Sequence, residues 1–186
     1  MDEAGGMRDT STKERLSGEE SASWDAVVRQ VDRIPPDAFE APGAGPDDWT
    51  TKDVLFHLGA WWEEAAARLG AVREDRYVDT TIDTDERNAA YLREGRTLDA
   101  TAVRVRTARA RARALAEWSA IHRPSAPAVE WFSETGTEHY AEHLPQLRAF
   151  AERAWGSASS AGVWNGGWPR RTSTTPVRSS GSRSGW

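Results

Sequence analysis

The chain has 186 residues, no cysteine, four histidines and a formal net charge of −5. This length fits one domain with flanking segments, of which a globular portion of about 140 residues buries a real core. Without cysteine there are no disulfides, thiolate zinc sites or cysteine nucleophiles, so a metal must take nitrogen or oxygen ligands, and the acidic balance is a poor match for nucleic acid.

The amino terminus, Met1 to Met7, carries no apolar run of the signal-peptide kind, and no later segment approaches the ~20 apolar residues of a membrane span. The expectation is a cytoplasmic protein without a membrane partner. Residues 1–16 are polar and aperiodic and read as a disordered leader. The body is expected to begin at Ser17-Gly18-Glu19-Glu20, which has the form of a capping box, with Trp24, Val27, Val28 and Val31 following at helical spacing. Pro35-Pro36 ends this first helix.

A Pro/Gly loop leads to Trp49 and to Thr50-Thr51-Lys52-Asp53, where a threonine can cap the second helix with Asp53 in its first turn. That helix is predicted to run to Leu69, with Gly70 after it and a stripe of Val54, Leu58, Trp61 and Ala65. His57 falls about 40° from Trp61 on the helical wheel, at the flank of the stripe. Residues 71–96 form a crossover, with a short helix from Thr84 to Arg93, long enough to bring the third helix up parallel to the second. The third helix is predicted from Thr97 to before Pro124, with Leu98, Val105, Ala108, Ala112 and Leu115 inward. Its arginines, at 104, 106, 109, 111 and 113, read as a solvated face rather than a nucleic-acid surface. His122, near its end, reads as a charge placed to suit a helix C-terminus.

The last helix holds Glu138-His139-Tyr140-Ala141-Glu142-His143. Counting from His139, His143 lies at about 40°, Phe150 at about 20° and Leu147 at about 80°, so both imidazoles share the inward stripe. Pro145 removes a backbone donor just after them and is expected to kink the helix. From Ser157 onward there are four arginines and no acids, leaving −9 for the remainder; residues 157–186 read as a basic disordered tail, with docking of a tryptophan or a tail-borne interaction role as the alternative.

Two histidines four apart on one helix and a third on another can close on one ion. Neutral imidazoles suit zinc, nickel, iron or copper and leave coordination positions open. The plainer alternative is histidines that simply hydrogen-bond within a bundle, and spacing leaves both open. Trp61 and Tyr140 are candidate substrate-pocket residues, although Trp61, Trp62 and Tyr140 are first of all packing residues and a place in the core or at its rim suits them better. Glu138 and Glu142 are candidate partners for an imidazole, with Glu142 aimed toward solvent. No nucleotide-binding loop, nucleophile elbow or His-Glu-x-x-His motif is present.

The segment Asp48-Trp49-Thr50-Thr51-Lys52-Asp53-Val54-Leu55-Phe56-His57-Leu58 resembles the opening of helix two in the DinB-like superfamily. That group includes bacillithiol- and mycothiol-dependent transferases and the amino-terminal domain of mycothiol-dependent maleylpyruvate isomerase. His139-Tyr140-Ala141-Glu142-His143-Leu144-Pro145-Gln146-Leu147 resembles its last-helix motif, and the likeness spans roughly residues 17 to 155. It implies an all-α, four-helix bundle over residues 17–156, with up-down-down-up topology and the long crossover between helices two and three. It also implies a divalent metal (Zn, Ni or Fe) on His57, His139 and His143, and a small-molecule substrate, with mycothiol as a co-substrate. A homodimer is one arrangement open to such a bundle. The same residues, with Trp61-Trp62, are also similar to the ClbS/DfsB-like self-resistance proteins. There a tryptophan-lined pocket would bind or hydrolyse a reactive small molecule without metal.

Overall fold

The computed structural model describes residues 3–160, with side-chain surroundings for residues 12–157. The fold is all-helical: α1 (Glu3–Val31), α2 (Thr51–Arg73), α3 (Thr84–Gly95), α4 (Ala100–Ala120), α5 (Ala126–Ser133) and α6 (His139–Ser160). Single 3-10 turns at Pro36–Ala38 and Pro46–Asp48 break the α1–α2 connection, and a π turn at Glu134–Glu138 joins α5 to α6. None of the helices among the described residues is long and apolar enough to cross a membrane.

The caps show why helices start where they do. Thr50 Oγ1 accepts from the Asp53 N–H, and an Asp53 carboxylate oxygen accepts from the Thr50 N–H, each at 3.0 Å. Asp83 and Asp99 cap α3 and α4 through the N–H groups of Glu86 and Ala102. The first helix does not begin at the expected capping box. It starts at Glu3, and Ser17 lies inside it, its hydroxyl accepting from the Trp118 indole at 3.0 Å. Long-range anchoring explains the extension: Leu16 is buried, and Lys13 Nζ donates to the carbonyls of Ser119 and Ile121, satisfying the otherwise open C-terminus of α4. At the other end α6 runs on through Pro145 to Ser160, past the expected boundary at Gly156. The rest of the predicted tail, 161–186, lies outside the described residues.

Packing centres on α2, whose first ten residues, 51–60, are all buried rather than forming one stripe. Gly59 meets Thr107 of α4 so closely that a Cβ there would sit 2.8 Å from the Thr107 Cα, and Thr107 Oγ1 donates to the Leu55 carbonyl. Farther along, Arg73 pairs with Glu117, so α4 runs beside α2 in the same direction, as the long crossover allows. Against α1, α4 runs oppositely: Ser17 meets Trp118, Glu20 meets Arg111 and Asp32 faces Arg104. Against α5 and α6, α2 is also opposed, with His57 beside His143, Trp62 beside Tyr140 and Arg68 over Trp131.

The arginine row of α4 is not wholly solvated. Arg111 turns inward to grip Glu20 and lies over the Trp24 ring. The buried stripe of α4 is Val103, Thr107, Ala110, Ala114 and Trp118, not the expected one, and Val105, Ala108 and Ala112 are exposed. This register sets Arg111 one turn from Thr107, where the buried carboxylate on the facing helix draws it in.

Candidate metal centre

His57 stands on the buried half of α2, held by the close approach of α4 behind it. His139 opens α6 and His143 follows one turn later. Their register depends on the π turn. Ala128, Phe132, Gly136 and Tyr140 are buried at successive intervals of four residues. In a regular α-helix each such step drifts about 40°, so the stripe would rotate by roughly 120° over the three steps. The wider turn at Glu134–Glu138 absorbs that drift. Gly136 is the residue that lets it pack: a Cβ there would lie 3.1 Å from Glu20 Cγ and 3.3 Å from Trp62 Cζ2.

The three imidazoles converge through their Nε2 atoms, His57 to His139 at 2.8 Å and His143 to His139 at 3.2 Å. One ligand atom from each lies within 4.8 Å of the others, so the three can hold a metal ion. For nitrogen–metal distances of about 2.1 Å and angles of about 90–110°, ligand nitrogens stand about 3.0–3.4 Å apart, so the two sides that meet at His139 are within a few tenths of an ångström of fitting. Trp49 closes one side, edge-on to His57 at 5.0 Å between ring centroids and stacked on His143 at 6.4 Å.

Burial first, and then the charges of His139 and His143, push His57 down to about 2. Burial and then His143 push His139 down to about 3. His143 is lowered by burial, with the Glu142 charge and the Gln146 side chain working the other way. The cluster is therefore neutral at pH 7, the protonation state a metal ligand needs. Imidazoles protonated at Nδ1 would aim three lone pairs at one point, which is repulsive without a cation between them. Nδ1 of His57 and of His143 is buried without a hydrogen-bond partner. The outer carboxylate or carbonyl that usually orients a metal-bound imidazole is thus missing for both. Packing against Trp49 supplies orientation instead.

A second buried network backs the cluster. Glu20, 1 % exposed, receives Arg111 Nε at 2.7 Å and Arg111 Nη2 at 2.6 Å. It also accepts from Tyr140 Oη at 3.0 Å, while the Trp62 indole donates to Tyr140 Oη at 2.6 Å. Burial, then the Glu20 charge, raises the Tyr140 phenol far above its ordinary value. Tyr140 is fully buried against Trp24 and Trp62 and is not among the residues that line the cavity, which fits the core reading of this residue and not the candidate place in a substrate pocket. Being next to His139 turns it about 100° from the site, into the core.

A cavity of about 500 Å³ opens over His57 and His139. Trp61 lines it, as do Glu138 and Glu142. Trp131, Glu134, Thr135 and Asn88 also line it and were missed. Trp131 precedes the π turn and Glu134 opens it, so a wheel counted from His139 misplaces both, and Asn88 arrives on the crossover. His122 lines a separate hollow of about 460 Å³ with Arg73 and Tyr77. Compared with known protein families, curated proteins and solved structures, the chain matches none.

Proposed function

We propose that this chain is a metal-dependent enzyme of the DinB-like kind, a four-helix bundle of up-down-down-up topology with α3 on its crossover. His57, His139 and His143 would hold a divalent ion, zinc, nickel or iron. The reaction would transfer a low-molecular-weight thiol of the mycothiol type to a small electrophile, or isomerise it. The observation that carries this reading is the convergence of the Nε2 atoms of His57, His139 and His143, the first and last buried and His139 partly so, beside a cavity that His57 and His139 line.

A bound divalent ion supplies Lewis-acid activation of a thiol or water. The chain's own part is to keep the imidazoles deprotonated by burial, to fix their rings against Trp49, and to receive the substrate between Trp61 and Trp131. Elemental analysis of the purified chain is expected to give about one divalent ion per chain, lost in His139→Ala. Protein that carries no metal and takes up none on titration overturns the proposal.

The aromatic cavity walls also support a second reading, a ClbS/DfsB-like protein that binds or hydrolyses a reactive small molecule without metal. On that reading cells carrying the chain survive an alkylating compound better, and His139→Ala protects equally well. Loss of protection in that variant rejects it.

A further inference from the structure

The cavity over the histidines is unevenly charged. Glu134, Glu138 and Glu142 line it at intervals of about one turn, and among the described residues that line it there is no lysine or arginine. These acids stand apart from the ion pairs that occupy Glu63, Glu64, Glu94 and Glu117. The guanidinium beside the rim, Arg68, is already engaged: it bonds Glu64 and the Thr80 hydroxyl and lies over the Trp131 ring. Burial, and after it the charges of Glu130 and Glu138, raises Glu134 above its ordinary value.

The walls lead to the same ligand. The Trp61 indole N–H is spent on Asn88 at 2.9 Å and that of Trp131 on the Tyr77 hydroxyl at 3.2 Å. What these indoles offer the cavity is ring surface, which attracts apolar groups and cations. Three carboxylates with a divalent ion on three neutral imidazoles leave a formal charge of −1, and −3 without the ion. An anionic substrate would meet repulsion at the rim, whereas a cation balances it.

We propose that the cavity selects a small substrate bearing a protonated amine or quaternary ammonium on an apolar body. The cation would sit at the Glu134, Glu138 and Glu142 rim, with the body against Trp61 and Trp131. This deepens the metal-dependent reading and rests on it for the reacting end at the cavity floor.

Calorimetric titration of the full chain, as purified and after chelator treatment, tests it with three matched probes: 2-phenylethylamine, 2-phenylethanol and phenylacetate. The amine is expected to bind about tenfold more tightly than the alcohol in both preparations, with the preference shrinking as salt rises. The double variant Glu134→Gln/Glu138→Gln is expected to lose the preference while its metal content stays unchanged. Equal affinity for amine and alcohol, tighter phenylacetate binding by the chelated protein, or a preference that survives the double variant overturns the inference. Protein that is purified without metal and takes up none on titration, yet prefers the amine, removes only the metal-dependent reading. Metal-loaded protein without the preference removes only this inference.

Discussion

Arg111→Met takes the cation away from a carboxylate that has no water to turn to. Glu20 is 1 % exposed, and two of its three acceptor contacts come from Arg111. Methionine keeps much of the arginine stem, so the change is chiefly one of charge. Removing one member of a buried ion pair costs about 3–5 kcal/mol. The Arg111 side chain is 17 % exposed, which moves the expected cost to the lower end, about 3 kcal/mol. At roughly 2–4 °C per kcal/mol for a chain of this size, Tm falls by about 6–12 °C. The double variant Glu20→Met/Arg111→Met removes both charges, leaves only the Tyr140 hydroxyl short of an acceptor, and is expected to recover most of the loss. Urea denaturation of the parent, both single variants and the double variant completes the cycle, with the midpoint moving at constant slope. A single-variant cost under about 1 kcal/mol would refute the reasoning, since that is the size of an exposed pair. Strict additivity of the two single variants would refute it too.

Other outcomes are expected on the same physical grounds. Gly59→Ala places a Cβ 2.6 Å from Thr107 Oγ1 and 2.8 Å from the Thr107 backbone; because backbone cannot swing aside, it should cost about 1–3 kcal/mol in urea titration. Thr50→Ala removes the acceptor that caps α2 and should cost about 1 kcal/mol, seen as a small drop in Tm with metal content retained. The pH dependence of metal-free protein follows from the lowered histidines. Their folded values lie below the ordinary 6.5, so the unfolded chain binds more protons in acid. Stability is then flat above about pH 7 and falls as pH drops from about 6.5 toward 3, by about 1.4 kcal/mol per pH unit for each proton taken up. Urea midpoints that stay level down to pH 5 would show that the imidazoles are solvated.

What could be read in advance divides along a physical line. Helix identity, the Thr50 cap, the crossover and the inward aim of the histidines follow from local spacing, and the structure has them. The start of α1 was misread because Ser17 has the chemistry of a cap, while the contacts that extend the helix come from residues more than a hundred positions away. On α4 the alanine-rich sequence fits more than one stripe, and the expected face through Val105, Ala108 and Ala112 is the exposed one, so Arg111, one turn from buried Thr107, turns inward to Glu20. Local signals decide what a segment prefers, and long-range partners decide which preference wins.

The π turn joins these two levels. Four-residue spacing of Ala128, Phe132, Gly136 and Tyr140 is itself a sequence signal: a regular α-helix cannot bury all four on one side, so the chain must widen a turn or surrender a core residue. Surrendering Tyr140 would strand the Glu20 carboxylate and the Trp62 indole that it bonds. Surrendering Phe132 would uncover the Trp118 ring stacked on it at 4.2 Å. Widening the turn keeps both, and it does so at the segment that ends on His139. The register that brings His139 and His143 to His57 is thus a consequence of two core demands on one helix. Gly136→Ala, which crowds Glu20 and Trp62 from within that turn, should lower metal retention and stability together, read by elemental analysis and urea titration of the same sample. Full metal retention in a destabilised Gly136→Ala chain would show that the histidines keep their register without the turn.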